Sequence, residues 1–111
     1  MKPQKKKSFL GDFELTVLLA ILRLGEEAYG GAILREIDRR TGREVAGGAL
    51  YVTLDRMEAK GLIASSLGDP HPDRGGRPKR YVALTDAGFE AVRESRQALL
   101  NLMLGLDPLF R

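Results

Sequence analysis

A mainly α-helical fold carrying one small β-hairpin is what this sequence predicts, and three observations predict it. Apolar residues recur at helical spacing in three successive stretches before Gly61. Two short runs rich in strand-compatible residues, Leu62–Leu67 and Tyr81–Leu84, then flank a tip, DPHPDRGGRP, built of Pro, Gly and Asp. A final amphipathic stretch opens on Thr85-Asp86, a cap followed by an acid suited to a helix N-terminus.

The elements follow in order. Residues 1–10 read as a flexible basic arm. Gly11 opens the first helix, with Glu14 in capping-box position, and the helix runs to about Leu24. Its apolar residues, Phe13, Leu15, Val17, Leu18, Leu19, Ile21 and Leu22, nearly encircle it, so it must be buried on two sides. One side suits its own domain and the other needs a further partner. The second helix, from about Tyr29 to Arg40, carries a single stripe of Ile33, Leu34 and Ile37 and stops at Gly42. Glu44–Ala46 reads as a short extended link. The third helix begins near Gly48, buries Leu50, Leu54 and Met57, and ends at Gly61. After the hairpin, the last helix runs to about Leu106, where Asp107-Pro108 stops it. The expected division is 1–10 arm, 11–85 body, and 86–111 C-terminal helix and tail.

Length and composition bound the function. A chain of 111 residues, 43% apolar and 30% charged, suits one soluble domain able to bury about two thirds of its unfolded surface. The absence of cysteine excludes a disulfide framework and thiolate metal sites, and fits a reducing cytoplasm. The N-terminal lysines followed by Leu15–Leu22 imitate a secretory signal, but Asp12, Glu14 and Arg23 interrupt it and no cleavage site follows. Neither a signal peptide nor a membrane span is expected. His71, the only histidine, lies between two prolines on the hairpin tip. Gly75-Gly76 is not continued as a phosphate loop, and no G-x-G-x-x-G occurs. With no catalytic or metal-ligating constellation, no enzyme, metal or cofactor is expected.

Charge points to a polyanion. Net charge is only +3, yet eight of the 18 cations fall within residues 1–7 and 74–80, where there is no acid, leaving 10 cations against 15 acids elsewhere. Three helices followed by a hairpin with a basic tip is the winged helix-turn-helix arrangement. Gly75 and Gly76 let the tip approach a nucleic-acid backbone closely, and Arg74, Arg77, Lys79 and Arg80 supply charge for phosphates.

Three stretches, YGGAILREI (Tyr29–Ile37), GGALYVTLDRMEAKGLI (Gly47–Ile63) and GGRPKRYVALTDAG (Gly75–Gly88), resemble the PadR family of bacterial transcriptional regulators. The Tyr-Gly helix start, Leu-Tyr-x-x-Leu, Gly-Leu-Ile and Leu-Thr-x-x-Gly stand in family order across about Leu10 to Gly88. Two positions depart: Val52 stands where the family often has proline, and Val82 stands at the second tyrosine of its Tyr-Tyr-x-Leu-Thr pattern. The resemblance implies a homodimer on double-stranded DNA, with the single C-terminal helix pairing subunits, and a small aromatic or hydrophobic effector. It also places Tyr29 at the DNA.

On the third helix, Gly48, Ala49, Val52, Asp55, Arg56 and Ala59 lie opposite the apolar stripe, with Tyr51 at the border. Small residues near its N-terminal end permit deep major-groove approach. Ala49 and Val52 suit thymine methyls, Arg56 suits guanine, and Tyr51 suits a phosphate or the edge of the core. The competing use of Arg56 is an ion pair with Asp55. Along the last helix, Phe89, Val92, Arg96, Leu99, Met103 and Leu106 are spaced as an a/d seam broken only by Arg96. With Leu15, Leu19 and Leu22 of the first helix they form the expected dimer surface. Phe89, Met103 and Phe110 are candidates to line an effector site. The expected function is a repressor on an inverted repeat. The alternative is a winged-helix protein-interaction module that reads no DNA.

Overall fold

The structure is a computed structural model that describes residues 10–70, 75 and 78–110. Helix α1 spans Asp12–Leu24, α2 Gly30–Thr41, α3 Gly47–Ala59 and α4 Asp86–Met103; strands β1 (Ile63–Pro70) and β2 (Pro78–Leu84) lie between α3 and α4. Short 3-10 turns follow α1 at Gly25–Glu27 and close the described chain at Asp107–Phe110.

Local chemistry sets the boundaries. Gly11 has no side chain, so only one half of a capping box forms: its N–H donates to Glu14 Oε1 at 3.1 Å. Gly42 takes the left-handed conformation (φ 74°) and its N–H donates to Asp38 O, ending α2. Thr85 Oγ1 accepts from Gly88 N at 3.1 Å and donates to Gly61 O, so one hydroxyl caps α4 and ties it to the turn after α3. The last helix ends at Met103, short of the expected stop at Leu106, and Gly105 (φ 83°) turns the chain ahead of Pro108.

The strands pair antiparallel from Ile63↔Leu84 to Leu67↔Arg80, with an irregularity before Pro70↔Pro78. Both run further into the tip than the sequence suggests, β1 to Pro70 rather than Leu67 and β2 from Pro78 rather than Tyr81. A third extended segment joins them: Tyr29 bridges Tyr81, and Val82 N donates to Ala28 O at 2.9 Å. This contact fastens the start of α2 to the wing and has no signature in the sequence.

The core holds Val17, Leu18 and Ile21 of α1, Ile33 and Ile37 of α2, and Leu50, Leu54 and Met57 of α3, all 2% exposed or less. Burial of each such side chain contributes about 1.5–3 kcal/mol. Ile63, Val82 and Val92 complete the cluster. The expected boundaries at residues 10 and 85 do not divide the packing. Leu10, assigned to the arm, packs against the core, and its N–H donates to Ser95 Oγ of α4. Gly88, Val92 and Ser95 bury the first half of α4 in the body. Residues 1–9 lie outside the described residues. Among the described residues, no helix is long and apolar enough to cross a membrane, and no group of three His, Cys, Asp or Glu is placed to hold a metal.

Candidate nucleic-acid interface

Helix α3 presents two unlike faces. Leu50, Thr53, Leu54 and Met57 are buried, whereas Gly48, Ala49, Val52, Asp55 and Arg56 are exposed. Val52 is 62% exposed, which no packing within the domain explains. A Cβ added at Gly47 or Gly48 would meet nothing within 4 Å. The fold does not demand these glycines, so the space before the N-terminal end of α3 is open to another molecule.

Gly30 is different. A Cβ there would lie 2.3 Å from Tyr51 Oη, so glycine at the start of α2 is what lets the Tyr51 ring lie across from α3. Tyr51 remains 43% exposed. Its hydroxyl end lies against the start of α2, which is the core-edge position expected of it.

Two residues expected at DNA are ion-paired within the domain. Arg56 points to α1, its Nε 3.5 Å from Glu14 Oε2, where Lys60 Nζ also sits at 3.2 Å. It pairs neither with a free groove nor with Asp55. Burial pushes the Glu14 carboxyl up, but the Gly11 N–H, Lys60 and Arg56 together hold it below the usual range. Arg80, expected at phosphates, turns back from β2 onto α3: Nη1 is 3.0 Å from Asp55 Oδ1 and Nη2 is 3.1 Å from Glu58 Oε1. Its Nε donates to Ser65 Oγ, which itself donates to Glu58. Burial opposes the charge on Arg80, but Glu58 and Asp55 outweigh it and raise its pKa. The Ser65 hydroxyl and Arg80 hold the Glu58 carboxyl below its ordinary range. The acids of α3 are the physical reason: a guanidinium this near two carboxylates is captured by them.

Lys79 and Tyr29 are brought together as neither could be by local spacing. Lys79 Nζ stands 4.0 Å from the Tyr29 ring centroid. Tyr29 and Tyr81 meet edge to face at 5.8 Å. Arg35 Nη2 donates to Tyr29 Oη at 2.8 Å. That hydrogen bond, opposed by burial and assisted by Lys79, holds the Tyr29 hydroxyl below the ordinary tyrosine range. Sequence reasoning does not single out Arg35, because Asp38 three residues on offers an obvious local partner and nothing in the spacing points back to Tyr29. Gly75 takes φ 66°, as a tight tip requires. Arg74, Gly76, Arg77 and His71 lie outside the described residues.

The expected dimer residues separate into two groups. Val92 is 8% exposed and belongs to the protomer's own core, so it is withdrawn from the intersubunit surface. Leu15 is half-buried, while Leu19, Leu22, Phe89, Leu99, Met103 and Leu106 are exposed. Every described residue beyond Ala98 is exposed, including Leu102, Leu104, Leu109 and Phe110. A groove of about 550 Å³ opens between α1 and the wing, with Ile21, Leu22, Tyr81, Leu84 and Phe89 in its lining.

Three helices, a reading helix with one open face and a hairpin clamped beside it define a winged helix-turn-helix protein. The sequence pattern of the PadR-like family of transcriptional regulators matches residues 18–94, and the chain belongs to that family. Solved structures agree. The chain is similar to a PadR-like transcriptional regulator from Bacillus cereus (25% identity, 89% of this chain and 91% of that one, TM-score 0.71). It is also similar to hsRosR-S1, described as a complex structure (35% identity, 86% and 78% coverage, TM-score 0.62). F93 from STIV, a winged-helix DNA-binding protein, shares the fold at 16% identity, with 88% and 98% coverage and a TM-score of 0.68. No curated protein matches the sequence.

Proposed function

We propose that this regulator is a cytoplasmic repressor that binds double-stranded DNA as a homodimer and reads an inverted repeat. The observation that carries the reading is the exposed face of α3: Gly48, Ala49 and Val52 stand outward on a helix whose opposite face is buried, with open space before its glycines. Such a face suits the major groove, and its small side chains suit base edges and thymine methyls. With Arg56 turned to Glu14, recognition of base sequence rests on these small contacts, on Tyr51 and on DNA shape.

The homodimer is supported by the second half of α4. Leu99, Met103 and Leu106 are 49%, 47% and 39% exposed, and Leu19 and Leu22 of α1 are 45% and 37% exposed. An apolar surface of this extent needs cover. The groove beside Phe89 supports release by a small aromatic or hydrophobic effector. Footprinting on the DNA flanking the protein's own gene tests the function. A protected inverted repeat with half-sites about 10 or 20 base pairs apart is expected. Uniform, sequence-independent protection would refute operator reading.

A further inference from the structure

We infer that Arg35 of α2, Lys79 of β2 and the Tyr29 hydroxyl form a seat for one backbone phosphate of duplex DNA, which makes Arg35 a DNA contact. The inference rests on the DNA-binding reading above and adds a site to it.

The geometry starts from charge. Most cations described in the helices and wing are spent on acids: Arg39 and Arg40 on Glu36, Arg43 on Asp12, Arg56 and Lys60 on Glu14, Arg80 on Asp55 and Glu58. Among the residues whose side chains are described, neither Arg35 nor Lys79 meets a carboxylate within ion-pair distance. They come instead to one phenol, Arg35 at the oxygen (2.8 Å) and Lys79 over the ring (4.0 Å). Two like charges held this close repel each other, and an anion between them would relieve the repulsion. Arg35 is exposed and Lys79 half-buried, so the pair can reach an external anion.

The sequence makes room for this arrangement at two glycines. A Cβ at Gly31 would stand 3.3 Å from Arg35 Nη1 and 3.3 Å from Tyr29 Cε2. A Cβ at Gly68 would stand 2.6 Å from the Tyr81 ring, which in turn braces Tyr29 edge to face. The Tyr29–Tyr81 bridge and the Val82–Ala28 hydrogen bond hold both elements in register. The phenol is therefore positioned by backbone as well as by side chains. A planar guanidinium, an ammonium and a hydroxyl together match a phosphate diester, which accepts from several donors at once. The seat joins α2 to the wing, so one phosphate would report the correct placement of both.

The test is the salt dependence of binding to short mixed-sequence duplexes by wild type, Arg35→Ala and Arg35→Lys. If each subunit of a dimer neutralises one phosphate fewer, the slope of log K against log salt falls by about 2. Arg35→Lys should restore most of that slope, since it keeps the charge. Arg35→Ala and Lys79→Ala should combine less than additively, because they share one phosphate. Ethylation of one phosphate per half-site should weaken wild type but leave Arg35→Ala little changed. If wild type binds duplex and Arg35→Ala keeps its full slope, the seat is wrong and the DNA-binding reading stands. If wild type binds no duplex, both fall. Inorganic phosphate that saturates the Tyr29 ring resonances at micromolar concentration, with an unchanged duplex slope, would assign the site to a free anion and overturn the proposal.

Discussion

Arg80 on the wing and Glu58 on the reading helix are joined Nη2 to Oε1 at 3.1 Å, and Asp55 closes the same guanidinium from the other side. The contact ties up a cation of the wing and offsets one of the two negative charges on the helix proposed to face DNA. On the proposed reading, Arg80 lessens repulsion of phosphates where the sequence alone suggests direct attraction. Arg80→Ala should weaken duplex binding about tenfold, because both acids are unmasked toward phosphates. Adding Asp55→Asn and Glu58→Gln should recover most of that affinity in an equilibrium titration. A triple variant as weak as the single would show that Arg80 touches phosphate itself.

Two glycine substitutions should separate folding from binding. In Gly88→Ala the new Cβ would stand 2.1 Å from the Leu62 carbonyl oxygen, and backbone cannot swing aside. A loss of about 3 kcal/mol in denaturant unfolding is expected. Gly30→Ala meets the far end of Tyr51, which can rotate away. It should cost less stability but disturb Tyr51, and so reduce DNA affinity more than Gly88→Ala does per unit of stability lost.

Acid should weaken the junction of α1 and α3. The Glu14 carboxyl is held below its ordinary range, so its contribution is present above about pH 4.3 and is lost as pH falls through the depressed value. Glu14→Gln should cost about 1–2 kcal/mol at neutral pH, the half-exposed Arg56 and Lys60 limiting the effect. As pH falls through that depressed value the two proteins should converge. Parallel stability curves down to about pH 3 would remove Glu14 as a contributor.

Helix α4 should respond oppositely at its two ends. Leu99→Asp with Met103→Asp falls on exposed positions, and the folded protein should sediment as a monomer and lose operator affinity steeply. Val92→Asp places a charge in the core and should unfold the protomer, at a cost of at least about 3 kcal/mol. A double variant that still sediments as a dimer would move the subunit contact away from this seam.

The sequence by itself determined the element order, the buried stripes of α2 and α3, the Gly42 stop and the Thr85 cap. Each depends on residues within a turn or two of one another, where spacing translates directly into a helix face or a cap. Local pattern also marked α1 as too apolar for one partner, and the exposed Leu19 and Leu22 match that reading. Only the tertiary structure decided which cations remain free. Lys60 meets Glu14 across 46 residues, and Arg80 meets Asp55 and Glu58 across 25 and 22. The Ala28–Tyr29 segment against β2 has the same origin, since a lone edge contact has no periodicity. Val92 shows the limit most plainly: a heptad spacing marks one side of a helix, but whether that side meets its own core or another subunit depends on where the helix leaves the domain. Charge counted along a chain measures supply, and the fold decides how much of it is already neutralised.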